Sequence, residues 1–130
     1  MKQFISPIEH PSYMLHLYGI PNCDSVKKAV QFLHRNKIPF RFHNFKEEGL
    51  SKQKIAAWCV AVPVEKILNK KSTAWKLLSA VELEKAGTLP GAIALMSKYT
   101  NLVKRPVAEK PGIILTGFNE TDYSKHFQHG

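Results

Sequence analysis

The order of its apolar patterns predicts that this chain folds as an α/β domain around a mixed sheet. Residues 14–45 read as strand, amphipathic helix and strand, a block of short helical patterns fills residues 49–99, and a tight hairpin with a last helix closes the chain. A βαβ unit sets its two strands parallel with a right-handed crossover, whereas a hairpin sets its strands antiparallel, so the sheet that joins them is mixed.

Residues 14–18 are short, apolar and followed by Gly19 and Pro21, the punctuation of a strand that ends in a turn. Over residues 24–36, Val26, Ala29, Val30 and Leu33 recur at helical spacing, with Lys27, Lys28, Gln31, His34 and Arg35 off that stripe. Residues 38–45 alternate, Ile38, Phe40 and Phe42 against Arg41 and His43, as a second strand does. Ser51 then has the chemistry to cap a helix carrying Ile55, Trp58, Cys59 and Val62, a pattern that Pro63 interrupts. Further helices are expected at 64–68, 73–78 and 90–98, the last with Pro90 at its first position and Ile93 and Met96 inward. Strand signals return at 107–109 and 113–116 around Lys110, Pro111 and Gly112, and Asn119 or Thr121 is placed to cap a final helix through Tyr123 and Phe127.

A chain of 130 residues suits one compact domain, here expected over residues 14–130, with residues 1–13 as a mobile extension and Met14 as an alternative translation start. No apolar run reaches the roughly 20 residues of a membrane span or the shorter core of a secretory signal, which argues against a membrane role. Two cysteines make no disulfide framework, and no Cys/His grouping has zinc-site spacing, so a reducing, cytoplasmic setting without bound metal is expected. The excess of 19 basic over 10 acidic residues gives a charge of +9 and favours acidic partners: a nucleic acid, an acidic protein face or a small anion. His16, on the first strand, reads as a hydrogen-bonded structural histidine, and no nucleotide-binding glycine loop is present.

Cys23 stands where the first strand gives way to a helix. A sulfur there lies near unpaired backbone N–H groups and the positive end of the helix dipole, both of which favour thiolate, and Lys27 adds charge one turn on. Asp24 opposes this unless its carboxylate turns away. Asp24, Ser25 and Val26 follow the cysteine, so a CxxC pair is absent and any disulfide must form with another thiol. Cys59 lies on an apolar stripe and reads as a packed core thiol with no catalytic role.

Four ordered motifs carry a family resemblance: Leu17-Tyr18-Gly19-Ile20-Pro21-Asn22-Cys23-Asp24-Ser25-Val26-Lys27-Lys28-Ala29, then Asn69-Lys70-Lys71-Ser72-Thr73-Ala74-Trp75-Lys76, then Lys104-Arg105-Pro106, then Gly117-Phe118-Asn119. Together they resemble the arsenate reductase (ArsC)/Spx family, most of all its YffB-like branch. The resemblance implies a thioredoxin-like fold with a helical insertion after the second strand, the element order already read from the patterns.

It also implies a thiol oxidoreductase in which Cys23 is the nucleophile and glutathione or a glutaredoxin supplies the second thiol, acting on a small anionic or disulfide substrate. Arg105 maps onto an anion-holding arginine of the reductases, and Pro106 onto the cis-proline that faces the cysteine. Lys71 stands where the YffB-like motif carries an arginine, keeping the charge but losing the planar fork. Lys27, Lys71 and Pro106 are thus the substrate-binding candidates beside Cys23 and Arg105, with Lys104 read as solvated and no bound cofactor expected. Gly19 replaces the histidine common in the reductase loop, and residues 113–118 lack a further arginine, so arsenate would be poorly held. The alternative implied is an Spx-like regulatory protein that binds RNA polymerase without turnover, although the CxxC switch associated with Spx is missing.

Overall fold

The computed structural model describes residues 14–128, so the extension expected over residues 1–13 lies outside the described residues. Its sheet has the order β2-β1-β3-β4, with β1 (Leu15–Gly19), β2 (Phe40–Asn44), β3 (Val107–Lys110) and β4 (Ile113–Thr116). β1 runs parallel to β2, Leu15 opposite Phe40 and Gly19 opposite Asn44, and antiparallel to β3, Tyr18 opposite Val107. In the β3–β4 hairpin Lys110 faces Ile113, and Gly112 takes φ 78° behind Pro111, the sign a type II turn demands at that position. The expected mixed sheet is therefore present.

Alternation along β1 divides the core. Leu15 and Leu17 face α1 (Asp24–Arg35) and α7 (Glu120–Phe127), packing with Ala29, Phe32, Leu33, Tyr123 and Phe127. Tyr18 faces the other side, where α3 (Lys52–Ala61) contributes Ile55 and Trp58 and α6 (Leu89–Lys98) contributes Ala92, Leu95 and Met96. Ser51 caps α3, its hydroxyl accepting from Lys54 N–H at 3.0 Å, and Asn119 rather than Thr121 caps α7, accepting from Asp122 N–H at 3.0 Å. α1 ends in a Schellman motif: Ile38 N–H donates to the Leu33 carbonyl at 2.9 Å and Lys37 N–H to His34 at 3.0 Å, with Lys37 left-handed at φ 57°.

Three expectations are corrected. Phe45 does not end β2 but opens α2 (Phe45–Glu48), because the Asn44 side chain accepts from Lys46 and Glu47 N–H groups and starts a helix. The helix expected at 64–68 tightens into a 3₁₀ turn, Val64–Lys66. Between α4 (Thr73–Lys76) and α6 lies α5 (Ala80–Lys85), a helix outside the expected set; its start is a capping box in which Ser79 and Glu82 bond each other's backbone N–H groups. Among the described residues no helix is long and apolar enough to cross a membrane.

Candidate functional site

From the end of β1 the chain turns through Ile20, Pro21 and Asn22, and Cys23 N–H reaches back to the Ile20 carbonyl at 3.4 Å. Cys23 is the N-cap residue of α1, extended at φ −98° and ψ 130°, and its carbonyl accepts from Lys27 N–H at 2.9 Å. Its half-buried thiol makes no capping hydrogen bond and no disulfide. The first-turn N–H groups of α1 therefore keep their donor capacity beside the sulfur, where the dipole favours negative charge. Asp24 is exposed in the first turn. The Lys27 side chain is also exposed and lines a groove of about 450 Å³ with Val30, Phe40 and Phe42, on the α1–β2 side of the loop.

Arg105–Pro106 is a cis peptide, as the family motif implies. Pro106 is buried, its carbonyl accepts from Gly117 N–H at 2.8 Å, and the next residue, Val107, pairs with Tyr18. Pro106 thus sits at the end of the sheet where β1 hands over to the Cys23 loop. Arg105 is half-buried, its guanidinium donating to Asn101 Oδ1 at 3.3 Å, and it has no carboxylate partner among the described residues. A guanidinium whose charge is not neutralised by the protein is available to an anion.

The segment carrying Lys71 is held against the segment carrying Arg105. Leu68 bridges Val103, Asn69 N–H donates to the Leu102 carbonyl at 2.7 Å, and Lys104 N–H donates to Ile67 at 2.8 Å. Asn69 Oδ1 accepts from Lys71 N–H at 3.0 Å, while Ser72 bonds the Asn69 carbonyl and caps α4 through Trp75 N–H. This turn presents Lys71 to a hollow of about 330 Å³ shared with Lys70, Lys104 and Glu65.

The structure therefore brings Pro106 and Arg105 to the cysteine end of the sheet and sets Lys71 beside the Arg105 segment. Among the described residues no hydrogen bond joins the Cys23 sulfur to Lys27, Lys71 or Arg105. Asn101, which holds Arg105, was not singled out in the sequence, and Lys104, read there as solvated, has its ammonium tied to the Glu65 carbonyl at 3.0 Å and shares the hollow with Lys71. The only sequence signal for Lys104 is its place beside Arg105; for Asn101 there is none. The Gly117-Phe118-Asn119 motif has a structural role, bonding Pro106, packing Phe118 on Tyr123 at 4.8 Å and capping α7.

Cys59 lies half-buried against the core, and burial pushes its thiol up, away from thiolate. Among the described residues no group of three His, Cys, Asp or Glu side chains is placed to hold a metal ion.

The ArsC family model matches residues 18–126 of the chain. The structure of a YFFB protein superposes with a TM-score of 0.81 at 32% identity, covering 88% of this chain and 99% of that one. An arsenate reductase (ArsC) related protein from Brucella melitensis gives 0.68 at 33% identity, covering 91% and 98%. The global transcriptional regulator Spx 1 of Lactococcus lactis is 27% identical over 84% of this chain and 85% of its own length.

Proposed function

The chain belongs to the ArsC family and has its thioredoxin-like fold, and on that premise we propose that it is a cytoplasmic thiol reductase linked to glutathione or a glutaredoxin. The observation that carries the reading is Cys23, a free thiol with no capping bond at the start of α1, at the same end of the sheet as the cis Arg105–Pro106 peptide.

For a mixed disulfide between a substrate thiol and glutathione, the Cys23 thiolate attacks the glutathione sulfur. A Cys23–glutathione bond forms, the substrate's S–S bond breaks, and the leaving thiolate takes a proton. A second glutathione thiolate, or that of a glutaredoxin, then attacks the sulfur bound to Cys23 and releases Cys23 as thiolate. Two electrons pass from glutathione to the substrate, and glutathione disulfide is the oxidised product when glutathione resolves the adduct. Arg105 orients a carboxylate of the tripeptide, Pro106 offers its surface beside the reacting sulfurs, and Lys27 and Lys71 supply positive charge on either side.

A second reading is a regulatory protein similar to Spx that binds RNA polymerase without turnover, supported by the near full-length similarity to Spx 1 and the charge of +9. Exposure to glutathione disulfide followed by intact-mass and peptide mapping separates the two. The reductase reading expects one glutathione on Cys23, removed by reduced glutathione and absent from Cys23→Ser. An unmodified Cys23 rejects it and makes capture of RNA polymerase the next experiment.

A further inference from the structure

Two histidines meet on the face of the sheet opposite α1. His16 Nδ1 on β1 lies 2.8 Å from His43 Nε2 on β2, with the rings 5.0 Å apart. Two ring nitrogens come that close as donor and acceptor, so one carries a proton and the other offers a lone pair. The surroundings give the direction. Nδ1 of His43 faces Glu48 Oε1 at 3.7 Å, and a carboxylate favours a proton on that nitrogen, which leaves Nε2 to accept from His16 Nδ1–H. His43 also stacks on Tyr18, with centroids 4.4 Å apart and planes 12° from parallel.

We propose that His16 and His43 form a proton-operated latch at the β2–α2 corner, closed while at least one ring is neutral and opened when both are charged. One added proton goes to His16 Nε2 and leaves the bond intact, now from an imidazolium donor. A second must go to His43 Nε2, and this sets N–H against N–H and positive charge against positive charge at 2.8 Å. The rings then separate, and His43, drawn by Glu48 of α2, moves with the β2–α2 corner away from His16 and Tyr18 of β1.

The groups around the pair set its balance. Arg41 on β2 adds positive charge near His43, and Glu48 on α2 offsets it. On the other flank Tyr18 bonds Glu109 of β3 at 3.2 Å, and Lys54 of α3 pairs with that carboxylate at 3.2 Å, so Glu109 is already neutralised. Burial first, then the His16 charge, hold His43 below the ordinary histidine range. The opening reaches further than the corner. α2 also packs against the Thr100–Leu102 turn, whose Asn101 holds Arg105, so acid acts on the support of that guanidinium whatever chemistry Cys23 performs.

Hydrogen exchange on the full chain, corrected for intrinsic rates, tests the latch. The reporter is Gly49 N–H, which closes α2 onto the Phe45 carbonyl at 2.9 Å, and the reference is Asn36 N–H at the end of α1. Below about pH 6, Gly49 protection should fall by up to tenfold per pH unit, the slope of one coupled proton, while Asn36 protection stays level. His43→Gln and His16→Asn each leave one ring at most and should abolish the slope while keeping Glu48. A Gly49 profile that follows Asn36 throughout, or that falls equally in both variants, overturns the proposal.

Discussion

A Cβ on Gly19 would lie 2.6 Å from Cγ2 of Val26, so the last residue of β1 touches the first turn of α1 with no room for a side chain. Val26 is fully buried and β-branched, with little freedom to turn aside. This contact fixes the span between strand and helix in which Cys23 sits. Gly19→Ala is expected to cost about 1–3 kcal/mol, the usual range for overpacking, read as a lower urea midpoint at unchanged slope. An unshifted midpoint would mean that α1 gives way freely.

Lys37 supplies the left-handed residue of the α1 Schellman motif, where a side chain costs energy that glycine avoids. Lys37→Gly is expected to stabilise the protein by roughly 0.5–1 kcal/mol, the strain relief less the extra chain entropy. Thermal and urea unfolding both report it, and a loss of stability would contradict the reading of this turn.

Alkali should unfold the protein through the Tyr18–Glu109–Lys54 cluster. Burial, with Glu109 second, raises Tyr18 above its ordinary 10.0; burial lowers Lys54, but its bond and charge pairing with Glu109 outweigh that and raise it above 10.5. Both groups hold their protons longer folded than unfolded, so their contribution is complete below about pH 10 and is lost as pH rises through the folded values. Tyr123, also raised by burial, acts in the same direction. Urea midpoints between about pH 8 and pH 11 should fall steeply at the upper end, less so for Glu109→Gln. A flat profile would show that the cluster opens before it titrates.

Much of this was legible in the sequence where patterns are local. The β1–α1–β2 unit follows from strict periodicity, and Cys23 and Arg105 from short motifs whose residues sit together. α5 escaped because Val81 and Leu83 are exposed and leave no apolar stripe to read; its signal was the Ser79–Glu82 capping box. Phe45 misled because it is an aromatic residue directly after β2, although it falls out of step with Phe40 and Phe42, and the Asn44 side chain starts a helix there. The Asn101–Arg105 bond joins two residues four apart whose pairing no motif marks, while the Lys71–Lys104 hollow depends on the Leu68–Val103 bridge and the His16–His43 bond on strand pairing, which one-dimensional patterns do not specify.

Arg105 carries the anion role in the proposed function. Arg105→Ala should weaken glutathione binding by about 10- to 150-fold, the equivalent of losing one charge-assisted contact of roughly 1.5–3 kcal/mol, with little change in the unfolding midpoint. Arg105→Lys should recover only part, since it lacks the fork that binds a carboxylate twice. Asn101→Ala, which frees the guanidinium, should fall between wild type and Arg105→Ala. Wild-type affinity in Arg105→Ala would remove Arg105 from the site.

Turnover is the direct test of Cys23 as a catalytic thiol. Reduction of a glutathionylated peptide by excess glutathione would be followed as glutathione disulfide formed, for wild type, Cys23→Ser and Cys59→Ser. With Cys23 as the nucleophile, catalysis above the uncatalysed exchange is expected for wild type and Cys59→Ser, and none for Cys23→Ser. Equal rates for wild type and Cys23→Ser would contradict it.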